Sequence, residues 1–384
     1  MTTLDGNSGP YRAGLTFPGW ARHATASPTG GGRIASPNVA RYLRDSSDPL
    51  APTPGLQRIL FITGTRIGDA VLSTGLLDAL RRRHPAAWFT VACGPPAAPV
   101  FQGLPQLERL IVLRKSRGAG HWRMLWRQTV TTRWHMVVDL RRSALAWMLP
   151  ARQRCVPPGG AACEHKLTTF ARAIDAEQPL QPTVWLTQGD HERASRLLDP
   201  DRPVVALAPT ANWPAKVWPA DRFAELTRRL TGSGGPLAGA QVFITGGPGE
   251  DAQAQPVLDA VPENRRVAAV GLDLPTTAAA LARCRLFVGN DSGLMHLAGA
   301  AGAPTIGLFG PSDDRLYAPR GPKSCVVRTP ESLADLIGAP GFDHRTSGSL
   351  MGNLTVSSVE AAARRLLAEG EADADPANLR SPVG

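Results

Sequence analysis

The amino-acid sequence predicts an α/β protein with two doubly wound, Rossmann-like domains facing a cleft, preceded by a disordered tail. Three observations carry that expectation. From Arg58 onward, short apolar runs alternate with helix-length stretches, the pattern of parallel strands covered by helices on both faces. Around Gln178–Gly189 the periodicity lapses and prolines gather, which marks a connection. A second alternating series then begins. Residues 1–54 are rich in Gly, Pro, Ser and Thr, and their apolar residues follow no period. The expected organisation is a mobile tail over 1–54, one domain over 55–185, a second over 186–350, and a helix with a tail over 351–384.

The elements follow in order. Arg58–Thr63 (RILFIT) reads as the first strand, followed by Gly64 and a helical stretch to Arg83 in which Leu72, Leu76 and Leu80 recur at four-residue spacing. His84-Pro85 ends that helix, and Arg81–Arg83 suit the negative end of its dipole. Strand-like runs follow at Trp88–Cys93, Arg109–Leu113 and His135–Leu140. In the second series the expected strands are Val204–Ala208, Gln241–Thr245, Arg266–Val270, Leu286–Gly289 and Pro304–Phe309. The helices expected between them are Ala220–Thr231, Glu250–Ala260, Thr276–Arg283 and Gly293–Ala301. Val356–Glu369 reads as an amphipathic closing helix with Val359, Ala363, Leu366 and Leu367 on one side. Ligands of doubly wound sheets bind at the C-terminal ends of the strands, so the cleft is where chemistry is expected.

The chain has 384 residues, of which 43% are hydrophobic, enough to bury a substantial core and to exclude a wholly disordered protein. No apolar run approaches the roughly 20 residues that span a bilayer, and Met1–Gly14 lacks the charged head and apolar run of a secretory signal. Five cysteines without a CxxC pair argue against a disulfide framework and suit a reducing cytoplasm. The net charge of +10 is unevenly placed: residues 56–183 hold 18 Lys/Arg against 7 Asp/Glu, whereas residues 184–384 hold 19 against 22. That excess points to an anionic partner for the first domain, with nucleic acid, anionic lipid and a phosphorylated sugar all open, beside a merely solvated basic face.

Three segments are candidates for chemistry. Gly64-Thr65-Arg66-Ile67-Gly68-Asp69 joins the first strand to its helix. There Asp69 reads either as a helix cap or as a general base at the sheet edge. Asn290-Asp291-Ser292-Gly293-Leu294-Met295-His296 leads from a strand into a helix whose first amides could hold a phosphate or sugar hydroxyls. A simple cap at Asp291 or Ser292 and a packed His296 explain it equally well. Pro209–Pro219 (PTANWPAKVWP) carries Lys216, one of only two lysines after residue 183, and beside it the turn Gly246–Gly249 precedes Glu250. Lys216 could neutralise a diphosphate or be a surface charge. Glu250 could hold ribose hydroxyls or cap its helix.

Other signals do not form sites. Cys155, Cys163 and His165 match no common zinc spacing, Asp313-Asp314 needs no metal, and no dinucleotide glycine motif, Walker lysine, GxSxG or HExxH appears. Trp122, Trp126, Trp134 and Trp147 interleave with arginines, and core packing is expected for them.

Together these residues resemble glycosyltransferase family 9, the lipopolysaccharide heptosyltransferase family, from about Arg58 to about Leu367. The carriers are RILFITGTRIGDAVLSTGLLDAL, VVDL, PTANWPAKVWPADRFAEL, ITGGPGE, LFVGNDSGLMHLAGAAGAPTIGLFGPSD and LMGNLTVSSVEAAARRLL, in that order. The resemblance implies the GT-B fold and an inverting, metal-independent transfer of a sugar from a nucleotide donor, with no cofactor. An ADP-sugar is the expected donor, and an anionic glycolipid or polysaccharide such as lipopolysaccharide core the expected acceptor. It makes the first domain acceptor-binding and the second nucleotide-sugar-binding.

By the same resemblance, Asp69 is the base and Lys216, with Thr210 beside it, meets the donor diphosphate. Glu250 holds the ribose and Leu272 lines the base pocket. Asp291 holds the donor sugar, with Ser292, Gly293, Leu294 and His296 around the phosphates. Arg66, Arg114, Lys115, Arg141, Arg142 and His165 are the acceptor-side candidates. A cytoplasmic protein is expected, with peripheral contact at the inner face of the membrane open. Its rivals are a non-catalytic nucleotide-sugar or glycolipid binder of the same fold, a sugar-nucleotide epimerase and, last, a nucleic-acid binder.

Overall fold

A computed structural model describes residues 57–159, 164–338, 343 and 346–374, and eleven strands and twelve α-helices stand among the described residues. The tail expected over 1–54 and the residues after 374 lie outside them. The first half runs β1 (Gln57–Ile62), α1 (Ile67–Arg83), β2 (Ala87–Cys93), β3 (Leu107–Val112), α2 (Gly120–Thr129), β4 (Trp134–Asp139), α3 (Leu145–Met148), β5 (Ala151–Cys155) and α4 (Lys166–Ala173). The second runs α5 (Gln188–Leu197), β6 (Val204–Ala208), α6 (Ala220–Thr231), β7 (Gln241–Gly246), α7 (Asp251–Asp259), β8 (Arg266–Val270), α8 (Leu274–Leu281), β9 (Leu286–Asn290) and α9 (Gly293–Ala300). It closes with β10 (Thr305–Phe309), α10 (Asp314–Tyr317), β11 (Ser324–Arg328), α11 (Leu333–Ile337) and α12 (Val356–Ala374).

All registered strand pairs are parallel. The sheets are ordered β3-β2-β1-β4-β5 and β11-β10-β9-β6-β7-β8. Each is wound outward in both directions from its first strand, so the winding reverses between β1 and β4 and again between β6 and β9. Ligand crevices open at such reversals, outside the C-terminal strand ends. This is the two-domain GT-B architecture.

The apolar alternation read from the sequence fills two layers per sheet. Ile59 and Phe61 point to the α1 side, while Leu60 and Ile62 pack with Leu125 of α2, with Leu145 and Ala146 of α3 and with Leu149 just after it. In the second sheet Val205, Leu207, Val242 and Ile244 pack under α6, α7 and α12, with Val359, Ala363, Leu366 and Leu367 buried. Ala206, Phe243 and Phe287, on the other face, belong to the same packed cluster as Ile59 and Phe61, so one core runs through both halves.

Two edge strands and two helices depart from the sequence pattern. Among the described residues β5, which reads ARQRC, pairs only with β4, and β11, half-buried throughout, pairs only with β10. Edge strands need no apolar alternation, so periodicity is silent there. Helices α4 and α5 follow the caps His165 and Thr187 rather than a long apolar stripe, and Thr187 closes a capping box with Asp190. Core packing for all four tryptophans is corrected. Trp134 is 3% exposed and its indole N–H donates to Thr129 O at 2.9 Å, but Trp147 is 69% exposed and Trp126 37%. A one-turn helix such as α3 sends only one side inward, and Leu145, Ala146 and Leu149 occupy it.

Candidate active site

The site is built where the N-terminus of α1 meets the N-terminus of α9. Both helices start directly after a central strand, at the reversal of their sheet. Glycine makes the approach feasible: a methyl group on Gly293 would lie 2.8 Å from Ile67 Cβ, and one on Gly68 would lie 2.9 Å from His296 Cδ2.

Asp69 is the third residue of α1, which begins at Ile67 without a side-chain cap. Its carboxylate therefore does not cap the helix. Oδ1 is paired with the ammonium of Lys166, the first residue of α4, and both side chains are about one-third exposed. Gly64 makes room for Asp69, because a Cβ there would stand 2.9 Å from Asp69 Cβ. Lys166 Nζ also lies 4.7 Å from the Tyr317 ring centroid. Burial pulls the Lys166 ammonium down, but Asp69 and Tyr317 outweigh it and hold its pKa above the ordinary lysine value.

Across the seam, Lys216 ends a 3₁₀ turn, Pro214–Lys216, and donates to Asp291 Oδ2 at 2.5 Å, with Nζ 5.6 Å from the Trp213 ring centroid. It is 20% exposed and Asp291 8%, so this is not a solvated surface charge. Asn290, fully buried, braces the pair by accepting from Trp218 N at 3.0 Å. Ser292 holds the cap position of α9 without capping it, and its hydroxyl has no partner among the described residues. The first amides of α9 and this hydroxyl thus form an anion-accepting end.

His296 is 4% exposed, and its Nδ1 has no partner among the described residues. Burial, aided by nearby His165 and Lys166, lowers its pKa to about 4 against the opposing pull of Asp291 and Asp69, so the ring is neutral at neutral pH. Leu294 is buried beside it.

The remaining second-half candidates extend along the same sheet edge. Thr210, 1% exposed, follows β6. Glu250 stands at the head of α7 without capping it; instead it accepts from Gly247 N at 2.7 Å. Leu272 follows β8 after Gly271, whose φ of +73° lets the chain turn. In strand order, Asp291 (β9), Thr210 and Lys216 (β6), Glu250 (β7) and Leu272 (β8) stand on four adjacent strand ends. Three interstrand steps cover about 14 Å.

On the first-half side Arg66 follows β1, Arg114 and Lys115 follow β3, and Arg141 and Arg142 follow β4, all exposed at the C-terminal edge of the sheet. Burial lowers the Arg141 pKa, partly offset by Asp139. His165 is 5% exposed and both its ring nitrogens are engaged: Nε2 contacts Ala318 O at 3.1 Å, and Nδ1 accepts from Leu167 N at 3.2 Å. The expectation of a direct acceptor contact there meets a ring already in use, one that instead caps α4 and ties it to the second half. Lys166 and Tyr317 join the site without being singled out by sequence pattern, and Asn290, read only as the start of its segment, joins as a buried brace. The usable signal for Lys166 is rarity, as only 4 of the 42 Lys/Arg residues are lysines.

The chain is similar to known proteins over most of its described length. The sequence model described as glycosyltransferase family 9 (heptosyltransferase) matches residues 125–336, a little over half of the chain. Lipopolysaccharide heptosyltransferase 2 of Salmonella typhimurium is 26% identical over 319 residues, covering 71% of this chain and 88% of that protein. The same-named protein of Escherichia coli K12 is 26% identical over 310 residues, with the same coverage. Among solved structures, a glycosyltransferase family 9 protein from Veillonella parvula superposes with a TM-score of 0.67 at 22% identity, over 82% of this chain and 97% of its own. The Escherichia coli ADP-heptose lps heptosyltransferase II gives 0.66 at 23%, over 82% and 100%. Because that family model covers more than half of the chain, the chain belongs to glycosyltransferase family 9 and is a glycosyltransferase.

Proposed function

We propose that this enzyme moves a heptose-like sugar from an ADP-sugar onto a hydroxyl of an anionic glycolipid, of the lipopolysaccharide-core type, with inversion and without a metal ion. The observation that carries this reading is the order of groups along the second sheet. An apolar residue (Leu272), a carboxylate suited to ribose hydroxyls (Glu250), a cation (Lys216, beside Thr210) and a carboxylate suited to sugar hydroxyls (Asp291) stand in the order of base, ribose, diphosphate and sugar. The span of about 14 Å suits an extended nucleotide-sugar. The relatives named as heptosyltransferases supply the sugar and acceptor class.

In this mechanism Asp69 takes the proton of the acceptor hydroxyl as its oxygen attacks the anomeric carbon, and the bond to the diphosphate breaks on the opposite face. A single displacement inverts that carbon. Negative charge develops on the leaving diphosphate, where Lys216, the α9 amides and the Ser292 hydroxyl stabilise it, with Gly293, Leu294 and His296 shaping the wall. Lys216 exchanges Asp291 for phosphate, which frees Asp291 for the sugar. Arg66, Arg114, Lys115, Arg141 and Arg142 meet the acceptor's negative charge, and His165 holds Lys166 on that side. The domains 55–185 and 186–350 divide the work between acceptor and donor, and the protein acts in the cytoplasm at the inner membrane face.

A thermal-shift panel of ADP, GDP, UDP, CMP and their sugars, with and without EDTA, tests this reading. The expected outcome is a selective rise with ADP compounds that EDTA does not change. A rise with another nucleotide discards the ADP-sugar, and no rise at all favours a glycolipid binder that has lost catalysis. Release of free nucleotide with no acceptor present assigns an epimerase instead.

A further inference from the structure

Between Arg109 and Cys163 the chain holds eleven Lys/Arg and one carboxylate, Asp139, so this stretch alone carries +10, equal to the net charge of the whole protein. Asp139 is fully buried, and its oxygens accept from Arg141 N, Ser143 N and Ser143 Oγ at 2.9, 2.8 and 2.6 Å. The flanking ion pairs are Arg58–Glu108 and Arg172–Glu164; among the described residues, no arginine between 109 and 159 joins a salt bridge.

Two helices of this stretch, α2 and α3, share one flank. Helices α2 and α3 pack on the same face of the first sheet, opposite α1, and the Arg141 guanidinium lies 4.9 Å from the Trp122 ring centroid, joining α2 to the loop before α3. Outward from that flank stand Trp147 (69% exposed), Met148 (60%) and Trp126 (37%), among exposed Arg123, Arg127 and Arg152. Trp147 is held in this posture. Arg154 lies 5.7 Å from its ring centroid and donates to Ala146 O at 2.8 Å and Leu149 O at 2.9 Å, stapling the end of α3.

We propose that this flank seats the enzyme on an anionic bilayer, with Trp147 and Met148 in the headgroup layer and Arg123, Arg127 and Arg152 against lipid phosphates. An exposed amphipathic aromatic beside a flexible apolar side chain, on a flank that also presents exposed arginines with no salt bridge among the described residues, matches an interfacial seat in both apolar contact and charge. Nucleic acid fits less well. Arg154 already lies over one face of Trp147 and Arg141 over one face of Trp122, which leaves each ring a single face for base stacking.

The test is sedimentation of the full chain with vesicles of equal parts phosphatidylglycerol and phosphatidylcholine, against pure phosphatidylcholine, with no donor or acceptor present. It therefore fails or succeeds independently of the transferase reading. The expected result is binding to the anionic vesicles only, weakened by salt. Trp147→Ser with Met148→Ser should weaken it roughly ten-fold, and replacing Arg123, Arg127 and Arg152 by Gln should cost about five-fold each. Melting temperatures should not change, because all five side chains are exposed. Equal binding to both vesicle types, or full binding by the Trp147/Met148 variant, overturns the proposal. So does oligonucleotide binding lost in the same variants without any vesicle binding.

Discussion

Gly68 and Gly293 touch across the seam between the two sheets: a methyl group on Gly293 would stand 3.2 Å from the Gly68 amide nitrogen. Neither residue has a positive φ, so glycine is required by proximity, not by backbone conformation. Gly293→Ala must push α1 away from α9. The expected cost is about 1–3 kcal/mol of stability, with roughly a hundred-fold loss of transfer if the two helix starts shift by an ångström. Thermal melting and steady-state kinetics read the two effects separately.

Asp69→Asn keeps the shape of the side chain and removes the base of the proposed mechanism. Transfer is expected to fall by roughly 10²–10⁴-fold, while donor affinity by calorimetry stays within about two-fold. Loss of donor affinity would move Asp69 to the donor site.

Lys166 is paired with Asp69, so in the proposed mechanism it is a positioning residue. Lys166→Met should lower kcat by roughly ten-fold and leave the donor KM unchanged, whereas Lys166→Arg should restore most of the loss. A fall in donor affinity with intact kcat would contradict this assignment.

The Lys216–Asp291 pair is the more buried of the two lysine–aspartate pairs, with Asp291 only 8% exposed. Lys216→Met strands that carboxylate and should cost about 1–3 kcal/mol; adding Asp291→Asn should return part of the melting temperature but none of the activity. A double-mutant cycle in which the two losses simply add would show that the contact carries no coupling.

His296 gives the acid limb of stability its sign. Its native pKa of about 4 lies below the ordinary 6.5, so the unfolded chain binds the proton first and stability falls as pH drops through that window. The full effect is about 3 kcal/mol. His165, also lowered mainly by burial, adds in the same direction. His296→Gln should flatten the decline in melting temperature between about pH 7 and pH 4; an unchanged slope would assign the loss to other groups.

Most of the fold is legible in the amino-acid sequence. Val204–Ala208, Arg266–Val270 and Ala220–Thr231 stand where periodicity puts them, because buried parallel strands and amphipathic helices write their packing into apolar spacing. The glycine-bounded loops after β1 and β9 are legible as well. Pairing over long separations is not. Asp69 and Lys166 stand 97 residues apart, and Lys216 and Asp291 stand 75 apart. Only the winding of the sheets brings them together, and local pattern holds no record of it. Trp147 eludes the pattern for a related reason: an aromatic residue beside a short apolar run looks like core until the helix proves to be one turn long.

The polarity that sets β5 apart from the other strands has its own effect on the folded protein. A parallel sheet ending in an open strand offers its free amides and carbonyls to any extended segment of another molecule. Here β5 carries the exposed polar residues Arg152 and Gln153 beside Arg154, while at the far margin of the other sheet α12 packs against β11. The enzyme thus carries two different guards against edge-to-edge aggregation, charge on one sheet and a helical cover on the other.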